Sequence, residues 1–217
     1  MVLKLVSSPY STCGQRVALA LHEKKVPYEL VPIDFAKGEH KTPAYLEKQP
    51  FGQVPYLDDD GFVVYESRAI SRYIATKYAN QGTKLIPTGL KENAVFEQAA
   101  STETANFDSF AAPLVGERLF KKLRGLQTNE ELAKNYHTSL AAKLDVYEKI
   151  LSKQKYLAGD EITLADLFHL PYGAKLFHAD VGAGDLIDSR PNVKRWWNDI
   201  TSRESWQAVK DGVKSSA

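Results

Sequence analysis

The apolar pattern of this chain changes character near residue 82. Upstream of it, short β-branched runs alternate with helical stretches. Downstream, strand signals nearly vanish and apolar residues recur at helical spacing. A change of this kind separates an α/β folding unit from an all-α one. The chain has 217 residues, enough for two such units. Hydrophobic residues make up 43% and charged residues 25%, which excludes a disordered tail, a fibre or a membrane span.

Within the first half, residues 3–6 read as a buried strand and 15–25 as a helix with Val17, Ala18 and Leu21 on one face. Residues 28–33 read as a second strand and 43–47 as a short helix. Strands at 54–57 and 62–65 flank the turn Asp58-Asp59-Asp60-Gly61, and a helix spans 67–78. The order β-α-β-α-β-β-α with a mixed four-stranded sheet is that of a thioredoxin-like module, placed at residues 1–80. Gly82, Pro87 and Gly89 mark 81–90 as a linker. Residues 91–217 are expected to form an all-helical domain. Long helices are predicted over 91–123, bent near Pro113, and over 130–153, where Leu140, Leu144, Tyr147 and Leu151 share a face. A third helix starts near Thr163, and two shorter ones follow Pro191 and Ser202.

Thr163-Leu-Ala-Asp166 has the form of a capping box, with Ile162 and Leu167 placed for a hydrophobic staple. Its role is structural.

With 28 basic and 27 acidic residues the net charge is +1, which argues against a nucleic-acid partner. Cys13 is the single cysteine, so no intrachain disulfide or cysteine-based zinc site can form. His22, His40, His137, His169 and His178 show no ligand spacing, so no metal is expected. The opening residues carry no long apolar run, and a cytoplasmic protein without membrane contact is expected.

Four motifs can carry chemistry. In Ser8-Pro-Tyr-Ser-Thr-Cys-Gly-Gln-Arg16, Ser11, Thr12 and Cys13 sit at or near a helix start. A hydroxyl there either caps the helix or stabilises a bound anion or thiolate, and a thiol there can become a nucleophile. In Gln49-Pro-Phe-Gly-Gln-Val-Pro-Tyr56, a cis bond between Val54 and Pro55 would leave the Val54 backbone on a free edge, ready to pair with a peptide-like ligand. In Tyr65-Glu-Ser-Arg-Ala-Ile70, Ser67 opens a helix whose N–H groups suit a carboxylate, and Glu66 suits an ammonium. Together these last two fit an amino-acid end. The loop Lys37-Gly-Glu-His-Lys41 supplies His40 and Lys41 for a second carboxylate or is simply solvated.

In this order and at this spacing the four motifs resemble cytosolic glutathione transferases, and S-P-Y-S-T-C-G-Q-R-V, P-F-G-Q-V-P and E-S-R-A-I resemble the phi class. The resemblance covers essentially the whole chain. It implies the glutathione transferase fold, glutathione as co-substrate without a cofactor, a homodimer, and a detoxifying conjugation of glutathione to apolar electrophiles, with peroxide reduction as a companion activity. It also implies roles. Ser11 is the catalytic hydroxyl on the glutathione sulfur. His40, Lys41 and Gln53 serve the glycine carboxylate, and Val54, before a cis Pro55, pairs with the cysteinyl backbone. Glu66 and Ser67 hold the γ-glutamyl end, with Arg68 nearby. The helical half supplies most of the second-substrate pocket, for which Thr12, Phe35, Phe107, Phe110 and Leu114 are candidates.

Two alternatives compete. One is a non-catalytic carrier of apolar small molecules. The other is a Cys13-dependent thiol transferase, disfavoured because Ser11 holds the position that cysteine-type classes fill, five residues before Arg16.

Overall fold

The computed structural model describes residues 2–217 and divides into two compact units. One runs through Ile86 and includes Arg203–Ala217; the other is Pro87–Ser202.

The first unit contains β1 (Leu3–Ser7), α1 (Thr12–Glu23), β2 (Tyr28–Pro32), a 3-10 turn at Glu39–Lys41, α2 (Pro43–Leu46), β3 (Tyr56–Asp59), β4 (Phe62–Tyr65) and α3 (Ser67–Lys77). The four strands lie in the order β2-β1-β3-β4. β1 is parallel to β2 and antiparallel to β3, which forms a hairpin with β4. This is the thioredoxin-like arrangement. β3 starts at Tyr56, two residues later than the sequence pattern suggests, because Pro55 has no N–H to give to a ladder. α1 starts three residues earlier than expected, because Ser11 caps it.

The register decides where the loops emerge. Val6 near the end of β1 pairs with Val31 near the end of β2 and with Tyr56 at the start of β3. Tyr56 in turn pairs with Tyr65 at the end of β4. The segments after β1, after β2, before β3 and after β4 therefore open at one end of the sheet. Val6, Tyr45 and Tyr56 form an apolar floor there, with Val54 and Tyr65 packed against it.

The final segment belongs to this unit, although the expected all-helical domain ran from 91 to 217. Its short helix, α12 (Glu204–Val209), ends where Gln15 donates to the carbonyls of Val209 (2.9 Å) and Lys210 (3.1 Å). Val213 N–H donates to Pro9 O at 2.8 Å, and Ser216 N–H to Tyr28 O at 2.9 Å. Leu30 N–H donates to Ser215 Oγ at 2.9 Å. The tail thus covers the open edge of β2. Arg203 and Ser205 also donate to Glu23 at 2.6 Å each. Burial works against the Glu23 charge, but bonds from Arg203, Ser205 and Thr83 together hold its pKa below the ordinary value.

The second unit is helical, as its periodicity implies. α4 (Leu90–Glu103), α5 (Ser109–Val115) and α6 (Lys121–Leu123) form a continuous stretch, joined by π-helical turns at Thr104–Asp108 and Gly116–Phe120. Pro113 lies inside α5 without ending it. Its missing N–H leaves the Ser109 carbonyl, four residues back, without that helical partner. α7 (Glu130–Leu151) follows, then α8 (Leu164–Leu167), α9 (Leu170–Leu176), α10 (Asp185–Asp188) and α11 (Pro191–Thr201). α8 and α9 replace the single helix expected from Thr163, since Pro171 cannot bond the carbonyl of Leu167. No helix among the described residues is long and apolar enough to cross a membrane.

The capping box at Thr163 and Asp166 forms, and it does more than cap. The fully buried Asp166 carboxylate accepts from Thr163 N–H (2.9 Å) and the Thr163 hydroxyl (3.1 Å). It also accepts from Leu157 N–H (2.9 Å) and Trp196 Nε1–H (3.0 Å). Burial pushes its pKa up, and these donors oppose that. Loss of a cap alone costs about 0.5–2 kcal/mol. Asp166→Ala also strands buried donors on Leu157 and Trp196, so the loss expected in urea unfolding is about 3–5 kcal/mol.

Candidate functional site

The site is built at the loop end of the sheet in the first unit. Ser11 precedes α1 in extended backbone (φ −69°, ψ 125°), and its Oγ accepts from Gly14 N–H at 3.1 Å. That contact uses a lone pair and leaves the hydroxyl proton available. Capping and donation to a sulfur are therefore compatible at Ser11. Gly14 allows α1 to approach β1: a Cβ there would come within 2.3 Å of Ser7 Oγ. Thr12 is buried, and Cys13 is half-buried with Arg16 Nη1 at 3.6 Å from its Sγ.

After β2 the chain reaches Phe35, which is exposed and packs edge-on against His40, ring centroids 4.8 Å apart. His40 Nδ1 is a buried polar atom without a partner. Lys41 is exposed, and its Nζ donates to Phe51 O at 3.3 Å. Gly52, at φ +58°, permits this close approach, since a Cβ would lie 2.9 Å from His40 O. Gln53 has an exposed side chain and a fixed backbone: its N–H donates to the buried Gln49 side chain (3.3 Å), and its carbonyl accepts from Tyr45 Oη (2.7 Å). Val54 is followed by a cis Pro55 and lies outside the ladder, which begins at Tyr56.

Glu66 sits between β4 and α3 with φ +70° and ψ 108°. A non-glycine residue there carries strain of about 1–3 kcal/mol, and such strain collects at functional positions. The turn swings Ser67 into the first position of α3, where it is buried, and keeps Glu66 exposed. Ser67 Oγ accepts from Arg16 Nη1 at 3.0 Å. Arg68 is half-buried in the same turn. Sheet register thus brings Ser11, His40, Lys41, Gln53, Val54, Pro55, Glu66, Ser67 and Arg68 to one end of the first unit. Free helix N-termini, an ammonium, an imidazole and a carboxylate make it suited to a zwitterionic peptide-like ligand.

Sequence pattern had no means to identify the link from Arg16 to Ser67, because it joins residues 51 apart in sequence. Gln15 and the tail were equally hidden. The apolar candidates of the second unit divide. Phe107, 1% exposed and tilted at 55° against His169 with ring centroids 4.6 Å apart, and Leu114, 0% exposed, are enclosed core residues. Phe110 is half-buried and carries Lys143 Nζ over its ring at 5.7 Å. Helical phase places all three on neighbouring turns but cannot say which reaches the surface. Among the described residues, no group of three or more His, Cys, Asp or Glu side chains is arranged to hold a metal ion.

Residues 1–76 match the family model of the glutathione S-transferase N-terminal domain, and 102–204 that of the C-terminal domain. The chain is 52% identical over 201 residues to glutathione S-transferase PM239X14 of Arabidopsis thaliana, covering 91% of this chain and 90% of that one. The crystal structure of glutathione transferase F7 from Populus trichocarpa superposes with a TM-score of 0.93 at 43% identity, covering 97% and 98% of the two chains. A structure of glutathione S-transferase I bound with lactoylglutathione gives 0.91 at 35% identity, covering 97% and 99%.

The strain at Glu66 can be measured. Glu66→Gly should be more stable than Glu66→Ala by about 1–2 kcal/mol, because only glycine relieves the positive φ. Equal stabilities in urea unfolding would show that the turn is unstrained.

Proposed function

The chain belongs to the glutathione S-transferase family, phi class, and we propose that its activity rests on Ser11 acting on the glutathione sulfur. It is a glutathione transferase that joins the glutathione thiol to electrophiles. The observation that carries the assignment to Ser11 is its hydroxyl, bonded as an acceptor to Gly14 N–H at the start of α1 and so free to donate. A free thiol titrates near about 8.5, and useful thiolate at neutral pH needs roughly 6.5, a difference of about 2.7 kcal/mol. A hydrogen bond to a charged group supplies about 1.5–3 kcal/mol. A helix N-terminus adds about 0.3–1 kcal/mol. The thiolate then forms a C–S bond with the electrophilic carbon, and a leaving group departs with the bonding pair or, in an addition, the adjacent atom takes it up. Holding both partners together removes most of the entropic barrier.

In this reading His40, Lys41 and Gln53 receive the glycine carboxylate. The orphaned Nδ1 of His40 supports it, since a buried polar atom without a partner is costly unless a ligand completes it. Val54, ahead of Pro55, pairs with the cysteinyl backbone. Glu66 takes the γ-glutamyl ammonium, and Ser67 with the N-terminus of α3 takes its carboxylate, with Arg68 beside them. Thr12 and Phe35 on the thioredoxin-like unit and Phe110 on the helical unit are the proposed contacts for an apolar electrophile, while Phe107 and Leu114 belong to the enclosed core of the helical unit. The domains carry the corresponding roles: glutathione on the thioredoxin-like unit and the apolar substrate chiefly on the helical one.

Ser11→Ala should lower conjugation of an aryl halide by about ten- to a thousandfold and raise the thiolate midpoint of bound glutathione by about one to two pH units. Cys13→Ser serves as the control and should keep its rate. A midpoint unmoved in Ser11→Ala, or turnover lost in Cys13→Ser, would overturn the assignment. Assays with an isothiocyanate and an organic hydroperoxide define the substrate range.

We also propose a cytosolic homodimer. The lone, unpaired Cys13 suits a reducing compartment. Exposed Phe51 on the first unit, and exposed Val95 and Val146 lining a groove between α4 and α7 on the second, are apolar surface that a partner would cover. Light scattering at micromolar concentration should give twice the 24.2 kDa chain mass; a monomer contradicts it.

A further inference from the structure

Arg16 is 2% exposed, yet it is a charged side chain from the second turn of α1 that reaches the first residue of another helix. Its Nη1 lies 3.0 Å from Ser67 Oγ, and Ser67 is itself 6% exposed. A guanidinium can only donate, and a hydroxyl has one proton and two lone pairs. In this bond Ser67 is therefore the acceptor, and its proton remains for a different acceptor. The neighbouring Ser71 hydroxyl bonds the backbone of Ser67 and not its side chain, donating to the Ser67 carbonyl at 2.8 Å. The same guanidinium sets a permanent positive charge behind the start of α3, where the helix already favours an anion.

We infer that Arg16 is a positioning residue for the reaction: it holds the Ser67 hydroxyl as a donor and reinforces the N-terminus of α3 toward the γ-glutamyl α-carboxylate of glutathione. The inference rests on the glutathione reading of the site above. Arg16 touches no substrate atom in this account. Its effect passes through Ser67, so it concerns one carboxylate of the ligand and leaves the sulfur chemistry alone.

Selectivity for that carboxylate is the readout that a purely structural role would not change. Binding of glutathione is compared by calorimetry with that of an analogue whose γ-glutamyl α-carboxylate is an amide. The proteins are wild type, Arg16→Gln, Arg16→Lys, Ser67→Ala and the double variant Arg16→Gln/Ser67→Ala. Wild type should prefer glutathione strongly. In Arg16→Gln that preference should fall about ten- to a hundredfold, while affinity for the amide changes less than about threefold. Arg16→Lys, which keeps the charge but loses the planar fork, should fall between them. In the Ser67→Ala background, Arg16→Gln should lower the preference by less than it does alone. An unchanged preference in Arg16→Gln, or equal weakening of both ligands, overturns the inference. If Arg16→Gln does not fold, Arg16→Lys with an undiminished preference does the same. A wild type that fails to distinguish the ligands removes the γ-glutamyl assignment itself, and that outcome is separate from any result with the variants.

Discussion

The geometry of the site depends on the pairing of one strand. β1 lies between β2 and β3, and Val6 is matched to Val31 on one side and Tyr56 on the other. A shift of one residue in either ladder would turn alternate side chains to the wrong face and carry a loop away from the others. The register is held by burial: Leu3, Leu5 and Val6 are enclosed, as are Tyr28 and Leu57 on the strands beside them. The tail guards the outer side by occupying the edge of β2. Segments distant in sequence meet at one place because the strands leave them no alternative.

At that place the two helix starts use the same device. Gly14 N–H occupies an acceptor site of Ser11, and Arg16 occupies one of Ser67. Each hydroxyl keeps its proton and sits where backbone N–H groups already favour negative charge. In the function proposed above, one would serve a sulfur and the other a carboxylate. The arrangement has a local cost in the positive φ of Glu66, which turns the chain sharply enough to bury Ser67 while leaving the Glu66 side chain in solvent.

The helical unit concentrates its buried polar groups in a different way. Asp166 joins the start of α8 to Leu157 and Trp196. Beside it, His169 Nδ1 lies 2.8 Å from Ala165 O, and because a carbonyl only accepts, that nitrogen is the donor. The other ring nitrogen meets Tyr147 Oη at 3.1 Å. Phe107 and Trp196 enclose the imidazole. These groups are satisfied by protein partners and exclude water, which is the signature of a structural polar core.

Much was legible in the order of residues. Period changes separated an α/β half from a helical one, and Thr163 with Asp166 marked a helix start correctly because capping is a contact across three residues. The four motifs marked the loops, since Gly, Pro, Ser and acidic residues act on the backbone nearest to them. Less local facts were hidden. The placement of residues 203–217 on the first unit depends on Gln15, Glu23 and the β2 edge, all far away in sequence. The division of Phe107, Phe110 and Leu114 into core and partly accessible positions depends on which neighbours pack over each. Arg16 reads from sequence only as a basic helical residue, and its bond to Ser67 exists because the sheet brings α1 against α3. Local sequence determined what each segment could become, because capping, turn chemistry and periodicity act over a few residues. Tertiary packing alone decided which side chains meet, because burial and hydrogen-bond partners are properties of the assembled chain.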